Sequence, residues 1–204
     1  MVRQKGFLFH VGLCIGCRSC ELACRNEHQT GKWVRRRRVI ANSFSTFLSI
    51  SCNHCASPEC FRVCPQRAYG KRRDGIVLID SNRCDGCRTC IKACPYRAPQ
   101  LDPERNKVTK CDFCLPRLEK NLATACVSAC HTGALQTIDL GDPEEKGAVL
   151  TVEGFPDIRL TRPSIRFLPA GKRVRYWLEE QEGIQPLMEP DPGKSGRKDH
   201  RGVS

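Results

Sequence analysis

The chain has 204 residues, of which sixteen are cysteine and only 6% are aromatic, and its formal net charge is +12. That length allows one ordinary domain or two very small ones, and the scattered large aliphatic residues exclude a fold stabilised by apolar burial alone. Bound metal is therefore expected to nucleate the fold, and the metal-free chain is expected to be poorly folded. No stretch supplies the roughly eighteen apolar residues of a spanning helix, so no membrane span is predicted.

The predicted elements are short and alternate with cysteine loops along the chain. Residues 6–10 and 75–80 are predicted strands that lead into cysteine loops, and residues 134–140 form a predicted strand that leaves one. The predicted helices follow the loops and span residues 18–27, 59–63, 88–93 and 118–128. Each helix is expected to carry the last two cysteines of a group on one face, because their i, i+4 spacing matches the helical period.

The cysteines form a fourfold internal repeat. They fall into four groups with none left over: Cys14, Cys17, Cys20 and Cys24; Cys52, Cys55, Cys60 and Cys64; Cys84, Cys87, Cys90 and Cys94; and Cys111, Cys114, Cys126 and Cys130. Each group begins with Cys-x-x-Cys and ends with Cys-x-x-x-Cys. A repeat of this kind indicates duplicated modules.

The third group carries the most specific signal. Its run from Cys84 to Cys94, followed by Pro95, matches the bacterial ferredoxin pattern, in which three cysteines bind one [4Fe-4S] cluster and the fourth binds another. The second group differs only by a two-residue insertion after Cys55, so it is predicted to be the other half of the same two-cluster module. The first and last groups would form an outer module, although the last widens its middle gap to eleven residues.

Two other interpretations of the cysteines compete with iron-sulfur binding. Cys-x-x-Cys pairs also form structural zinc sites. Zinc ribbons, however, combine two separated Cys-x-x-Cys motifs and lack the three closely spaced cysteines that begin an iron-sulfur motif. Disulfides are disfavoured, because such short loops would be strained.

The basic run at residues 35–38 is predicted to be a solvated strand or a subunit-docking face, rather than a nucleic-acid or phospholipid patch.

The net charge does not require a nucleic-acid partner. Each [4Fe-4S] cluster with four thiolates carries roughly −2 when oxidised, so four clusters offset about 8 of the positive charges. Gly16 and Gly86 are expected to let backbone amides approach the cluster sulfides. Paired carboxylates, a Ser-His-Asp set and a phosphate-binding glycine loop are all missing, so no catalytic residue is predicted.

Several stretches resemble a known family. They are residues 48–55 (LSISCNHC), 87–100 (CRTCIKACPYRAPQ) and 109–114 (TKCDFC). The chain is similar over residues 6–140 to the iron-sulfur, or beta, subunit of the dimethyl sulfoxide reductase family, whose four-cluster proteins serve molybdenum or tungsten bis-pyranopterin enzymes. Residues 160–169 also resemble the family's C-terminal docking segment.

The resemblance implies four [4Fe-4S] clusters with nested ligand sets. Cluster 1 would be bound by Cys14, Cys17, Cys20 and Cys130; cluster 2 by Cys24, Cys111, Cys114 and Cys126; cluster 3 by Cys52, Cys55, Cys60 and Cys94; and cluster 4 by Cys64, Cys84, Cys87 and Cys90. His131 stands after the last cysteine, where many relatives have proline. Its imidazole either faces solvent, which is favoured, or donates a hydrogen bond that raises one cluster's potential.

The implied fold is α+β, with tandem nested two-cluster ferredoxin-like modules and an irregular C-terminal extension. Residues 1–41 and 105–140 would form the outer module, residues 42–104 the inserted inner module, and residues 141–204 a docking extension and tail. The modules would place the clusters in a line, so that electrons pass from one cluster to the next.

The implied function is that of a non-catalytic oxidoreductase subunit. It would relay electrons between a molybdenum or tungsten pterin catalytic subunit and an integral membrane subunit that binds quinone. The chain would lie peripherally at the cytoplasmic membrane, either on the outer side after co-export with a twin-arginine partner or on the cytoplasmic side. The alternatives are a soluble four-cluster relay for a formate dehydrogenase or hydrogenase and, from a different class, a structural zinc protein.

Overall fold

The computed structural model describes residues 4–42, 46–142, 146–156 and 159–171, and these belong to one compact unit. In chain order its elements are β1 (Lys5–His10), α1 (Ser19–His28), β2 (Arg37–Ala41), β3 (Phe47–Ser51), α2 (Glu59–Arg62), β4 (Tyr69–Lys71), β5 (Val77–Ile79), α3 (Thr89–Ala93), β6 (Gln100–Asp102), β7 (Lys107–Thr109), α4 (Leu115–Leu118), α5 (Ala125–Ser128), β8 (Leu135–Asp139) and β9 (Ile165–Leu168). Short 3-10 turns occur at Val11–Leu13 and Arg159–Thr161. The mixture of short strands and helices confirms the α+β class.

Strands β8, β1 and β9 form a three-stranded sheet with β1 in the centre. Strand β1 pairs antiparallel with β8, with Phe9 opposite Leu135, and parallel with β9, with Phe7 opposite Ile165. Three consecutive residues of β1, from Phe7 to Phe9, are buried, as expected for a central strand covered on both faces. The strands predicted at residues 6–10 and 134–140 are confirmed.

Strand β9 is a regular element within the C-terminal extension that was predicted to be irregular. Its burial alternates, with Ile165 and Phe167 buried and Arg166 and Leu168 partly exposed, which is the pattern of a strand with one face on the core. Phe167 also makes an isolated antiparallel bridge with Val149. The part of the extension beyond residue 171 lies outside the described residues.

Three antiparallel hairpins carry the remaining strands. They pair β2 with β3, β4 with β5, and β6 with β7. The predicted strand at residues 75–80 is shorter in the structure, because Gly75 has a φ of +82° and forms the turn before β5. The first hairpin spans the sequence boundary predicted between residues 41 and 42, and it brings β2 beside α1.

The helices occur near their predicted positions, but most are shorter than predicted. Only α1 contains both of its cysteines, Cys20 and Cys24. Helix α3 ends at Ala93, and Cys94 has an extended backbone with ψ of 116°. Pro95 follows Cys94, and proline disfavours the helical conformation of the residue before it. Cys64 likewise lies past the end of α2 and precedes a proline.

The single helix predicted over residues 118–128 is wrong. The structure has two short helices there, α4 and α5, with turns between them. Asn121 has a φ of +56° in this linker, which is a left-handed conformation that an α-helix cannot include. The long middle gap of the last cysteine group is therefore filled by α4 and a turn, and α5 carries Cys126.

The aromatic core contains side chains of the three-stranded sheet together with several cysteines. Phe7 stacks on Phe113 with ring centroids 4.5 Å apart, and Phe9 meets Phe167 edge-on at 6.5 Å. Cys20, Cys55 and Cys126 belong to the same buried cluster as these rings. Among the helices of the described ranges, none combines the length and apolarity needed to cross a membrane.

Candidate metal centres

All sixteen cysteines are free thiols and all lie in the described part of the chain, so no disulfide links them. Ten are buried, four are partly buried and two are exposed; the exposed pair is Cys17 and Cys87. These two occupy the same position in the first and third groups, where each is the second cysteine of a ferredoxin-type loop. The disulfide interpretation is therefore not supported by the structure.

The loops of the first and third groups share one backbone conformation. Gly16 and Gly86 have φ values of +73° and +77°, and the arginines two residues later, Arg18 and Arg88, have φ values of +61° and +64°. Each arginine directly precedes a helix, α1 or α3. The repeat seen in the sequence is therefore also a repeat in the backbone, and it wraps each loop around its own thiols.

The cysteines predicted for cluster 1 come together from both ends of the chain. Burial raises the pKa of the Cys14 thiol, and the charges of Cys130 and Cys17 raise it further. Burial also raises the pKa of Cys20, which has Cys126 and Cys130 as charged neighbours. The backbone N–H of Leu135, at the start of β8, donates to Cys130 Sγ at 3.4 Å.

The cysteines predicted for cluster 2 meet where α1 approaches α5. Burial raises the pKa of Cys24 to about 12 and that of Cys114 to about 11, and Cys126 adds to both shifts. The backbone N–H of Phe113 donates to Cys111 Sγ at 3.4 Å. His28 Nε2 also lies 3.4 Å from Cys114 Sγ.

The cysteines predicted for cluster 3 line a single cavity. The walls of this cavity include Cys52, Cys55, Cys60 and Cys94. Burial raises the pKa of Cys55 to about 12, and Cys52 and Cys94 contribute to the shift as neighbouring charges.

The cysteines predicted for cluster 4 are neighbours as well. Burial raises the pKa of Cys90, and the charges of Cys64, Cys84 and Cys87 raise it further. Backbone amides again point at sulfur, because the N–H of Ala68 donates to Cys64 Sγ and that of Val108 donates to Cys84 Sγ, both at 3.4 Å.

These four sets fit tetrathiolate metal groups. Each set offers four sulfur donors, which are the soft ligands that iron-sulfur clusters require. Burial raises the pKa of these thiols because it disfavours a bare thiolate, and bound iron would supply the compensating positive charge. Amide donors within hydrogen-bonding distance of Cys64, Cys84, Cys111 and Cys130 are the usual stabilising contacts of cluster ligands.

Arg37 is an exception to the prediction that residues 35–38 form a solvated strand or a subunit-docking face. Its side chain is only 2% exposed. It donates to Ser49 Oγ and Ser51 Oγ, both at 2.9 Å. Although burial lowers the pKa of Arg37, the charges of Cys126 and neighbouring thiolates raise it above its usual value. Arg38, the next residue of β2, is partly exposed, because successive side chains of a strand point to opposite faces.

Lys110 is a second buried cation that the sequence interpretation missed. Its side chain is 2% exposed, and its Nζ donates to the backbone carbonyls of Val77 and Cys111. Its positive charge lowers the pKa of Cys60, against the larger effect of burial. No salt bridge joins Lys110 or Arg37 to a carboxylate within the described ranges. His131, by contrast, is exposed, in agreement with its predicted position in solvent.

Comparison with known proteins supports the same chemistry. Residues 43–140 match the family model described as a 4Fe-4S dicluster domain. The probable anaerobic dimethyl sulfoxide reductase chain YnfG of Escherichia coli K12 is 38% identical over 185 residues, which cover 83% of this chain and 90% of the relative. The B subunit of tetrathionate reductase from Salmonella typhimurium is 38% identical over 194 residues, covering 91% and 76%.

A third relative is the B component of polysulfide reductase from Wolinella succinogenes. It is 36% identical over 156 residues, which cover 72% of this chain and 82% of the relative. The resemblance inferred from the cysteine motifs is therefore confirmed over most of the sequence, and the cofactors are [4Fe-4S] clusters. This chain is a member of the iron-sulfur, electron-transfer (beta) subunits of the dimethyl sulfoxide reductase family.

Proposed function

We propose that the chain relays electrons through four [4Fe-4S] clusters, between a molybdopterin catalytic subunit and a quinone-reactive membrane subunit. The observation that supports the proposal is that cysteines predicted for the same cluster are neighbours, most directly where the four of cluster 3 line one cavity. Each bound cluster would accept and donate one electron at a time. The protein's part is to hold the thiolates, exclude water and set the local charge.

Contacts between the sets support a linear order from cluster 1 to cluster 4. Cys126 of the cluster 2 set is a charged neighbour of Cys20 in the cluster 1 set. Cys111 of the cluster 2 set has Cys52 of the cluster 3 set as its strongest charged neighbour, and this neighbour adds to the effect of burial in raising its pKa. Successive sets therefore adjoin, as an electron wire requires.

Tyr69 supports the last step of this order. Burial raises its pKa most, and the Cys90 thiol of the cluster 4 set, followed by Cys60 and Cys52 of the cluster 3 set, raises it further. Tyr69 also packs in one buried cluster with Cys60 and Cys90, so it is near thiols of both inner sets. This arrangement supports the proposed nesting, in which residues 42–104 form an inner module between the two parts of the outer module.

The partners follow from the family. The relatives are named as components of dimethyl sulfoxide, tetrathionate and polysulfide reductases, so each works beside other subunits. For this chain we propose a catalytic subunit with a molybdenum or tungsten pterin and a membrane subunit that exchanges electrons with quinone. The chain would then lie at the membrane surface through its partners.

The first test counts the metal. Iron and acid-labile sulfide are measured on the anaerobically purified full chain, together with an EPR spectrum after dithionite reduction. About sixteen of each per chain, with magnetically coupled [4Fe-4S] signals, supports four cubanes. About fifteen irons with a [3Fe-4S] signal before reduction would show one incomplete site. Zinc without sulfide would restore the structural zinc interpretation.

The second test identifies the partners. The complex is isolated from native membranes through a tag on this chain, and its metals and subunits are analysed. Molybdenum or tungsten together with a hydrophobic subunit that is lost in strong detergent supports the proposal. A complex that stays in the soluble fraction with a formate dehydrogenase or hydrogenase activity would support the soluble relay instead.

A further inference from the structure

Arg37, Ser49 and Cys20 form a buried hydrogen-bonded row behind the cluster 1 cysteines. Arg37 Nη1 donates to Ser49 Oγ at 2.9 Å, and Ser49 Oγ lies 3.4 Å from Cys20 Sγ. The three residues are 2%, 3% and 8% exposed, respectively. Solvent therefore does not compete for these contacts, and their geometry is set by the protein alone.

The first hairpin fixes the position of Ser49. Strand β3 places Ser49 and Ser51 on the same face, since side chains two residues apart along a strand point the same way. Arg37 lies opposite Ser51 in the ladder, so its guanidinium reaches both hydroxyls. Ser49 is 29 residues from Cys20 in sequence, and the contact therefore depends on the tertiary fold.

The direction of the hydrogen bonds follows from the donor inventory. A guanidinium only donates, so Ser49 Oγ accepts from Arg37 and still holds its own hydrogen. In the part of the chain that the structure describes, Cys20 Sγ is the other hydrogen-bonding atom near this hydroxyl. A thiolate that binds metal has no hydrogen and can only accept. The Ser49 hydroxyl is therefore oriented towards the sulfur.

Building on the four-cluster function proposed above, we propose that Ser49 is a positioning residue that donates its hydroxyl hydrogen to Cys20 Sγ and thereby raises the reduction potential of cluster 1. Reduction adds negative charge to a cluster and its thiolates, so a donor at the thiolate stabilises the reduced form more than the oxidised form. Arg37 contributes by occupying the acceptor side of the hydroxyl, which keeps the hydrogen on the sulfur side.

Ser51 provides a matched control on the same strand. It is also buried, at 4% exposure, and its hydroxyl accepts from Arg37 Nη2 at 2.9 Å. Its own hydrogen is directed at the backbone carbonyl of Cys52, at 3.4 Å, and not at a sulfur. Removing either hydroxyl costs Arg37 one partner, but only the loss of the Ser49 hydroxyl removes a donor to a thiolate.

The test is an EPR-monitored redox titration of the anaerobic, cluster-loaded full chain and its Ser49→Ala and Ser51→Ala variants. In Ser49→Ala we expect one midpoint potential to fall by about 59 mV, a tenfold change in the ratio of reduced to oxidised cluster for a one-electron couple. Ser51→Ala should leave all midpoint potentials unchanged. An unchanged potential in Ser49→Ala, or equal shifts in both variants, would overturn the proposal.

An isosteric pair keeps the test decisive if Ser49→Ala does not assemble its clusters. Threonine retains the hydroxyl and valine replaces it with a methyl group of the same shape, and both residues suit a strand. Ser49→Val should therefore show a lower cluster 1 reduction potential than Ser49→Thr. Equal potentials would contradict the proposed hydrogen bond from residue 49 to Cys20 Sγ. The iron and sulfide count of the unsubstituted chain tests the four-cluster function separately, so failure of one proposal is distinguishable from failure of the other.

Discussion

The guanidinium carbon of Arg37 lies 4.7 Å from the centre of the Phe7 ring, so the cation is enclosed by an aromatic face on one side and two serine hydroxyls on another. A buried cation without a carboxylate partner is costly unless another anion compensates it. Cys126, Cys111 and Cys20 are its strongest charged neighbours. Cluster anions bound to these cysteines would therefore be the counter-charge of Arg37.

Replacing Arg37 by methionine should lower two reduction potentials at once. Its charged neighbours belong to two sets, with Cys20 in cluster 1 and Cys126 and Cys111 in cluster 2. Loss of a nearby positive charge destabilises the reduced, more negative state of each cluster. An EPR-monitored titration should show two midpoint potentials falling, each by about 59 mV or more for a tenfold effect.

Arg35→Met is the matched control for that substitution. It removes the same charge from the same basic run, but the side chain of Arg35 is exposed, so solvent screens it. Its midpoint potentials should match those of the unsubstituted chain. Equal shifts in the Arg35 and Arg37 variants would show that net charge, and not burial beside the clusters, sets the potentials.

The sequence predicted the outer strands well, because their apolar runs are local signals. Residues 6–10 and 134–140 became β1 and β8 with small changes at their ends. The helix lengths failed where a local rule was overlooked. Cys94 is followed by Pro95, which ends α3, whereas Cys24 has no such successor and α1 continues to His28. Strand β9 was missed because its register depends on pairing with β1, whose partner residues lie 158 positions earlier in the chain.

The cysteine spacing predicted which residues carry the chemistry, because loop ligands are written locally in the sequence. The buried charges could not be found in the same way. The run at residues 35–38 is uniform in composition, and nothing in it indicates that β2 begins at the buried Arg37 while Arg35 lies exposed before the strand. Ser49 acquires its contact with Cys20 from the hairpin, which no local pattern specifies.

Pairs of cysteine substitutions should test the nested ligand sets. The nested assignment gives Cys14 and Cys130 to cluster 1 and Cys126 to cluster 2, in keeping with the neighbouring charges of Cys14 and Cys130. A Cys14→Ala, Cys130→Ala variant should therefore lose one cluster and retain about twelve irons, whereas Cys126→Ala, Cys130→Ala should lose two and retain about eight. The reverse ranking of iron contents would mean that each cysteine group binds its own cluster.

Removal of iron should unfold the chain. Burial raises the pKa of the Cys24 thiol and that of the Cys55 thiol to about 12. Arg37 is a charged neighbour of Cys24, and Lys71 Nζ donates to the backbone carbonyl of Cys55. Without metal, the apolar core near the cysteines loses the groups that hold its loops together. Far-UV circular dichroism after anaerobic chelation should show a large loss of ordered structure, recovered on reconstitution with iron and sulfide. A metal-free chain with an unchanged spectrum would show that apolar packing alone suffices.

Gly86→Ala should impair the cluster 4 loop far more than Gly133→Ala. Both glycines have positive φ, at +77° and +68°, so alanine incurs backbone strain of about 1–2 kcal/mol at either site. A Cβ on Gly86 would also lie 2.5 Å from the backbone oxygen of Asn106, whereas nothing lies within 4 Å at Gly133. Iron content and thermal unfolding of the two variants measure the difference, and similar losses in both would attribute the effect to φ alone.

Lys110→Met should lower the stability of the fold around Val77 and Cys111 with little change in its structure. The ammonium donates to the carbonyls of Val77 and Cys111, and the substitution leaves both without this buried donor. A buried polar group that loses its partner costs about 1–3 kcal/mol, so cluster loss in urea should begin at a lower concentration. The bleaching of visible absorption under anaerobic conditions measures this cluster loss. Lys120→Met, on an exposed turn, should bleach like the unsubstituted chain, and matching curves for the two variants would show that Lys110 has no stabilising role.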